Sequence, residues 1–284
     1  MELETWNIKP NKFLGQNFLK SKKIAEEIIK AADLSLDDVV LEVGPGKGFL
    51  TEELIKTGAK IIAVEKDKNL AEFLKEKFTG VKNLEIINAD ILKFKSANWR
   101  IKFKIVANIP YYITSHFLRK FLESDPPAGG QPSLMVLMLQ KEVAERIVSK
   151  KESLLSISVK VYGSPKIIRR VKAGNFEPKP KVDSAILKIS DISKNFFEEL
   201  RIRKSVSFIT DNKGNDTETR FPDSLEKNFF SVVKNGFSSK RKQLKNNLKL
   251  LDIGSLTKCG ISEKARAEDL SPENWKCLYQ NLYK

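Results

Sequence analysis

The sequence is poor in the side chains on which most metal and redox sites depend. It contains one histidine, His116, and two cysteines, Cys259 and Cys277, which lie without the spacing of a metal site. This scarcity excludes a histidine-based catalytic triad and a multi-histidine metal centre, and it indicates neither a zinc site nor a disulfide framework. So few cysteines also fit a reducing cytosol. We therefore expect a cytoplasmic protein that binds no metal.

Long apolar runs and negative charge are also in short supply. No stretch is long enough to span a bilayer, and no signal peptide follows Met1, so we expect no membrane partner. There are 51 Lys and Arg residues against 36 Asp and Glu, which gives a formal net charge of +15. This excess favours a polyanionic partner, and nucleic acid is the first candidate. A basic surface that binds nothing is the alternative.

From Val39 onward, short apolar runs alternate with amphipathic segments of helical spacing. The predicted strands are Val39–Val43, Lys60–Val64, Leu84–Asn88, Lys104–Ala107, Leu134–Leu139, a segment near Ser158–Val171, and Ala185–Ile189. The predicted helices between them are Phe49–Thr57, Lys68–Phe78, Ser115–Glu123 and Lys141–Ser149. The alternation predicts an α/β fold with a doubly wound, mostly parallel sheet. The last two strands have no long helix between them, which predicts an antiparallel hairpin at the sheet edge.

After about Ser193 the pattern changes to helices without strands. Phe196–Phe208 is predicted as mixed helix, and Phe229–Leu251 and Asp269–Tyr283 are predicted as helices. The polar stretch Asp211–Asp223 shows no apolar period and is predicted as a loop or insertion. We therefore expect a catalytic domain over residues 1–192 and a small all-helical domain over residues 193–284.

The most informative motif is a glycine-rich turn, Glu42-Val43-Gly44-Pro45-Gly46-Lys47-Gly48, between a predicted strand and a predicted helix. Glycines let the backbone turn sharply and approach a ligand closely. The pattern acid-x-Gly-x-Gly-x-Gly is typical of the nucleoside-binding turn of S-adenosylmethionine (SAM) methyltransferases, whereas a nicotinamide-binding turn more often has the spacing Gly-x-Gly-x-x-Gly. Taken alone, the motif is also compatible with an ordinary strand-to-helix turn.

Polar side chains follow three successive predicted strands. Glu65 lies about 20 residues past the glycine turn, the spacing at which an acid binds the ribose in dinucleotide folds. Asp90 can accept the exocyclic amine of a bound adenine, and Asn108 ends the next strand. Singly, either acid fits a helix cap or a solvated loop equally well. Because ligands of doubly wound sheets bind at the carboxyl ends of the strands, the three together predict a nucleoside site.

The tetrad Asn108-Ile109-Pro110-Tyr111 is the most specific signal. Its Asn-x-Pro-aromatic pattern resembles the active-site loop of amino-methyltransferases that act on adenine N6, cytosine N4 or glutamine. An exocyclic amine is a poor nucleophile because its lone pair is conjugated with the ring. The Asn108 side-chain oxygen and the carbonyl before Pro110 can each accept one N–H, which localises that lone pair toward the methyl donor. Tyr111 can stack on an extruded base. A turn in which Pro110 only ends the strand is the alternative.

These motifs resemble the small-subunit (16S) rRNA adenine N6,N6-dimethyltransferase family of the bacterial KsgA type. The resemblance extends over nearly the whole chain through five further segments: Gly15–Leu19, Leu139–Arg146, Phe176–Ala185, Phe237–Leu248 and Arg266–Pro272. Three departures are small. Ile109 replaces the usual Leu, Lys240 replaces a common Arg and so loses the planar fork, and the polar stretch Asp211–Asp223 is longer than typical.

The resemblance implies SAM as co-substrate, without a metal, and dimethylation of two adjacent adenines in the hairpin loop near the 3′ end of 16S rRNA. It implies a Rossmann-like catalytic domain and a monomer that acts on an immature 30S subunit. The implied SAM-binding residues are Asn17, Leu19, Gly44, Gly46, Glu65, Asp90 and Asn108. Asn108 and Pro110 would form the catalytic loop, Tyr111 and Phe176 would sandwich the target adenine, and Lys240, Arg241 and Lys242 would grip RNA phosphates.

Other functions share parts of this pattern. The 23S rRNA adenine methyltransferases of the macrolide-resistance type share the catalytic motifs, but Lys240–Lys242 and Asn246–Leu248 favour the small-subunit type. A DNA adenine methyltransferase is disfavoured because no separate base-reading domain is evident. A non-catalytic ribosome-assembly factor on the same fold is the alternative from a different class. The intact tetrad, together with Glu65 and Asp90, argues against it.

Overall fold

The described part of the chain in this computed structural model (residues 9–11, 14–94, 102–123, 130–204, 224–248 and 253–282) contains one large mixed sheet. The strands in chain order are β1 (Phe18–Leu19), β2 (Val39–Val43), β3 (Lys60–Glu65), β4 (Leu84–Asn88), β5 (Lys104–Asn108), β6 (Leu134–Gln140), β7 (Ser164–Val171), β8 (Phe176–Glu177) and β9 (Ser184–Ser190). The sheet has the order β4-β3-β2-β5-β6-β9-β7, and β1 pairs with β8 separately.

Strand direction confirms the predicted doubly wound sheet with an antiparallel edge. The pairs β3–β4, β2–β3, β2–β5 and β5–β6 are parallel, whereas β9 runs antiparallel to both β6 and β7. In β6 the five residues between Leu134 and Gln140 are all buried, as expected for a strand covered on both faces. Edge strand β7 instead alternates between more and less exposed residues, which explains its weak apolar signal.

The helices in chain order are α1 (Lys22–Ala32), α2 (Phe49–Ile55), α3 (Lys68–Lys77), α4 (Thr114–Leu122), α5 (Lys141–Val148), α6 (Leu154–Lys160), α7 (Asn195–Lys204), α8 (Ser224–Gly236), α9 (Leu244–Asn247), α10 (Ile253–Lys258) and α11 (Pro272–Leu282). Helix α1 buries Ile24, Ala25 and Ile28 against the sheet, as its apolar spacing predicts. The predicted strand near Ser158–Val171 is in part wrong, because α6 occupies its beginning.

The described chain divides into two compact units. The first reaches Val148 and resumes over Gly163–Ile192, and the second consists of Ser149–Tyr162 and the chain from Ser193 onward. One junction lies between Ile192 and Ser193, and Ser149–Tyr162 clusters with the helical unit. Tyr162 accounts for this placement: its hydroxyl donates to the Glu226 carboxylate at 2.8 Å, and its ring lies 5.3 Å from that of Phe197. The division into domains 1–192 and 193–284 stays a prediction.

The predicted helix Phe229–Leu251 is confirmed only in part. Helix α8 ends at Gly236, and a turn separates it from the short helix α9; the predicted residues after 248 lie outside the described chain. Gly236 packs so closely that a Cβ there would lie 2.2 Å from the Trp275 ring. The Asn247 amide donates to the carbonyls of Gly236 and Ser239 at 2.6 and 3.0 Å, which holds the turn. The predicted helix Phe196–Phe208 is confirmed up to Lys204, where α7 ends. The predicted loop Asp211–Asp223 lies outside the described residues.

The sequence indicated no disulfide framework, but the structure contains one disulfide. Cys259 and Cys277 are joined, with their Cα atoms 5.7 Å apart, although they are 18 positions apart in sequence. The pair could not be read from spacing because it depends on the packing of α10 against α11. Within the described ranges, every helix is too short or too polar to cross a membrane.

Candidate functional site

A pocket opens at the carboxyl ends of β2, β3 and β5, where doubly wound sheets bind ligands. Its lining includes Gly15–Leu19, Glu42–Lys47, Val64–Lys66, Ala89–Ile91 and Asn108–Ile113. Nine of the predicted site residues lie in this lining: Asn17, Leu19, Gly44, Gly46, Glu65, Asp90, Asn108, Pro110 and Tyr111. The pocket thus joins the N-terminal segment, the glycine turn and the Asn-Ile-Pro-Tyr loop, which are far apart in sequence.

The glycine turn needs glycine for conformation and for space. Gly44 and Gly46 have φ angles of 65° and 60°, in the left-handed region that side chains disfavour. The Gly44 N–H donates to the Val64 carbonyl at 3.0 Å, which ties the turn to β3. A Cβ on Gly46 would lie 2.8 Å from Cδ1 of Phe18, so this turn also makes room for the ring. Without side chains at Gly44 and Gly46, a bound nucleoside can approach the backbone of this turn closely.

Glu65 ends β3 as a buried hydrogen-bond acceptor. Its Oε2 accepts the Gly46 N–H at 3.1 Å and its Oε1 accepts the Asp67 N–H at 2.9 Å. Only 5% of the residue is exposed. Burial raises the pKa of this carboxyl above its usual value, although the two backbone N–H groups oppose the shift. Glu65 therefore offers acceptor oxygens at the edge of the turn, where ribose hydroxyls would be held.

Asp90 is an ionised acceptor at the end of the next strand. Its Oδ2 lies 3.0 Å from Nζ of Lys66, and its Oδ1 accepts the Leu92 N–H at 2.9 Å. Partial burial favours the protonated form, but these two bonds outweigh it and lower the pKa of the carboxyl. The carboxylate is thus fixed in orientation and able to accept an adenine amine.

Asn108 is held by the N-terminal segment. Its Nδ2 donates to the Asn17 carbonyl at 3.0 Å, a contact between residues 91 apart in sequence. Since the nitrogen end of the amide is engaged, the Oδ1 end is the group left to accept a proton from a substrate amine. Two residues beyond Ile109, the Tyr111 hydroxyl lies 2.8 Å from Oγ of Ser184 on β9, which tethers the ring at the pocket. Burial raises the pKa of the Tyr111 hydroxyl, so it stays neutral.

Phe176 does not lie in the pocket lining. It is only 2% exposed and belongs to an apolar cluster with Leu19, Val171 and Ile186. In the two-stranded sheet Phe176 is paired with Leu19, so β8 lies beside the N-terminal segment. The sandwich of the target adenine between Tyr111 and Phe176 stays a prediction.

Several site residues were not found from the sequence. Lys66, which binds Asp90, was not singled out from the sequence. Gln16 was included only as a member of the segment Gly15–Leu19, and its amide donates to the Asp67 carboxylate at 3.1 Å. Glu42 was read only as part of the glycine motif, yet its Oε2 accepts the Thr51 hydroxyl at 2.7 Å inside the protein. Among the described residues, no group of three or more His, Cys, Asp or Glu side chains could hold a metal ion.

Known proteins resemble this chain in both sequence and structure. The sequence model of the ribosomal RNA adenine dimethylase family matches residues 7–211. The chain belongs to this family. A relative from Dehalococcoides mccartyi, the ribosomal RNA small subunit methyltransferase A, is 41% identical over 288 aligned residues, which cover 97% of this chain and 89% of the relative.

Two solved structures extend the similarity to the fold. The 23S rRNA methyltransferase ErmE is 26% identical, with a TM-score of 0.70 and coverage of 94% of this chain and 100% of ErmE. A dimethyladenosine transferase from Plasmodium falciparum is 27% identical, with a TM-score of 0.64 and coverage of 92% and 95%. The predicted Rossmann-like fold and the predicted class, a SAM-dependent rRNA adenine dimethyltransferase, are confirmed.

Proposed function

We propose that this protein transfers methyl groups from SAM to N6 of two adjacent adenines in the 3′-terminal hairpin loop of 16S rRNA. We further propose that it acts in the cytoplasm, as a monomer, on an immature 30S subunit. The observation that carries the proposal is the Asn108 amide, which Asn17 holds at the end of β5 in the same pocket as the glycine turn and Glu65. The small-subunit relative, at 41% identity, supports the choice of RNA.

The pocket residues divide into two groups. Gly44, Gly46, Glu65 and Asp90 would hold the donor, with the Glu65 carboxylate on the ribose hydroxyls and the Asp90 carboxylate on the adenine amine. SAM supplies the methyl group on a positively charged sulfonium, so the substrate amine needs no strong base before it attacks. The residues that touch the amine therefore act chiefly by position and by fixed dipoles.

Asn108 and its neighbours would orient the target amine. Oδ1 of Asn108 and the carbonyl of Ile109 each accept one N–H of the N6 amine, which turns the lone pair out of conjugation with the ring. Tyr111 stacks on the extruded base. After the methyl group is transferred, the extra proton on N6 leaves to solvent. The monomethyl product still has one N–H to donate, so the same geometry supports the second transfer.

Lys240, Arg241 and Lys242 are proposed to bind RNA phosphates. They lie in the turn between α8 and α9 rather than on a helix, and all three are exposed. A turn can present three consecutive cations to the same stretch of backbone, whereas a helix would direct them to different faces. RNA recognition by this cluster would depend on backbone position and not on sequence.

Neutralising the basic turn tests that role. The variant with Lys240→Gln, Arg241→Gln and Lys242→Gln should bind 16S rRNA more weakly, and its log-log salt dependence should flatten by about one unit per lost phosphate contact. SAM affinity should not change. The variant with Lys240→Arg and Lys242→Arg retains the charge and should keep the wild-type salt dependence. An unaltered slope in the neutral variant would show that the turn is only a solvated surface.

The donor site is tested by Glu65→Ala. Two ribose hydroxyls and the Gly46 and Asp67 N–H groups would lose their acceptor, which should weaken SAM binding by about 1–3 kcal/mol. Glu85 on β4 is exposed, and Glu85→Ala is the matched control that should bind SAM normally. Calorimetric titration with SAM measures both variants. An unchanged affinity in Glu65→Ala would remove Glu65 from the site.

The choice of RNA is tested with labelled SAM. Naked 16S rRNA, immature 30S particles, mature 30S subunits from a strain without this methylation, and 50S particles are offered separately, and the modified base is mapped. We expect transfer to 30S material and none to 50S. Transfer to 50S particles would favour a 23S rRNA methyltransferase. This is the main alternative because the 23S rRNA methyltransferase ErmE has a similar fold. Binding of 30S particles without any transfer would favour a non-catalytic assembly factor.

A further inference from the structure

Glu42 is a carboxyl group in the pocket lining that the mechanism above does not use. It lies on β2, two residues before Gly44, and only 1% of it is exposed. Its Oε2 accepts the Thr51 hydroxyl at 2.7 Å, while no described residue donates to its buried Oε1. A carboxylate buried with one oxygen unpartnered is costly, because desolvation strongly disfavours the charge.

Among the residues that the structure describes, none places a compensating positive charge beside Glu42. Its neighbours across the sheet are Ala63 on β3 and Val106 on β5, and Thr51 on α2 is its hydrogen-bond partner. The charged group that acts on it is Glu65, which is also an acid. The residues of α1 and α2 that pack on this side of the sheet are apolar: Ile24, Ala25, Ile28, Leu50 and Leu54.

The protonation of Glu42 follows from this arrangement. Burial raises its pKa to about 8; the Thr51 hydroxyl opposes the shift and the nearby Glu65 adds to it. Without a bound cation, Glu42 is therefore mostly a neutral carboxylic acid at pH 7. A positive charge brought into the same low-dielectric pocket would reverse the preference, because opposite charges attract strongly where water is excluded.

We propose that Glu42 loses its proton when SAM enters the pocket and binds the cationic donor as a carboxylate, so that each SAM bound expels one proton to solvent. This inference rests on the proposed function, in which SAM occupies this pocket. The balance is simple: the carboxylic acid becomes a carboxylate and a solvent proton. The carboxylate recovers a proton from solvent after the discharged donor leaves. Thr51 keeps the carboxyl group oriented in both states.

The test is calorimetric titration of the full chain with SAM at pH 7 in phosphate and in Tris buffer, whose ionisation enthalpies differ. The wild type should release about one proton per SAM, and its affinity should fall about tenfold from pH 7 to pH 6. The sign follows from linkage: at lower pH more Glu42 must be deprotonated before the donor can bind. Glu42→Gln has the same shape and no proton to lose. It should release about one proton fewer and keep nearly the same affinity at both pH values.

If Glu42→Gln does not fold, a second variant tests whether Glu42 is the source of the released proton. Thr51→Val removes the hydroxyl that favours the charged form, so proton release should persist and the pH at which affinity levels off should rise. SAM binding by the wild type without proton exchange would overturn this inference and leave the proposed function intact. Release that persists in Glu42→Gln would also overturn it, because Glu65 would then be the source. If the wild type does not bind SAM between pH 6 and pH 8, both proposals fail.

Discussion

Asn108→Ala should fold and bind RNA, yet transfer methyl groups about a hundredfold more slowly or worse. The expected loss is that of one preorganised partner of the transition state. In the wild type, Asn17 holds the amide nitrogen of Asn108 at 3.0 Å, so Oδ1 is already oriented before the substrate arrives. Alanine provides neither an acceptor for the amine nor a fixed dipole. RNA affinity should hardly change, since contacts to phosphates dominate such interfaces.

Single-turnover transfer at saturating SAM and RNA is the measurement for this variant. Asn69 is an exposed asparagine in the first turn of α3, and Asn69→Ala is the matched control that should transfer at the wild-type rate. Some loss of SAM affinity is expected for Asn108→Ala because this residue also lines the donor pocket. Saturating SAM removes that effect from the comparison. A rate within a fewfold of wild type would contradict the proposed mechanism.

Phe176→Ala should damage the protein in a different way. The ring is 2% exposed and packs with Leu19, Val171 and Ile186, so its truncation should lower the free energy of unfolding by about 3–5 kcal/mol. The loss would also loosen the pairing of β8 with β1, which carries Leu19 into the donor pocket. We therefore expect a lower melting temperature together with weaker SAM binding. Denaturant unfolding and a SAM titration measure the two effects.

Phe176→Leu separates packing from base stacking. Leucine fills most of the apolar site, and its cost in unfolding free energy should be under about 1.5 kcal/mol. If Phe176 leaves the cluster to stack on the target adenine, the leucine variant loses a contribution of about 1–3 kcal/mol to RNA-dependent transfer. We expect that loss, with SAM affinity near wild type. Normal transfer by the leucine variant would assign Phe176 to the core alone.

The middle of the central sheet was predictable from the sequence because its inner strands are buried on both faces. Continuous apolar runs such as β6 can be read without knowing the neighbours of each residue. The positions of Glu65 and Asn108 were predictable because each residue ends a parallel strand. Once β3 and β5 are placed, both residues must lie at the carboxyl edge of the sheet. The glycine spacing after β2 then indicated that a ligand binds at this edge.

Features that depend on tertiary packing were not predictable. Strands β1 and β8 contain two residues each, too few to show a period, so their pairing and the burial of Phe176 had no local signal. The break after Gly236 depends on the Trp275 ring, which lies far away in sequence. The Cys259–Cys277 bond likewise depends on how α10 and α11 pack. The protonation of Glu42 follows from its burial and from Glu65 on the neighbouring strand.

The identity of the methylated nucleoside tests the proposed function most directly. Unmethylated 30S particles are incubated with labelled SAM and the wild-type protein or Asn108→Ala, and the RNA is digested to nucleosides for mass analysis. We expect N6,N6-dimethyladenosine from two adjacent adenines of the 3′-terminal hairpin with the wild type, and almost none with Asn108→Ala in the same time. Label on a cytosine, on a ribose or on 50S RNA, or dimethyladenosine formed equally fast by Asn108→Ala, would contradict it.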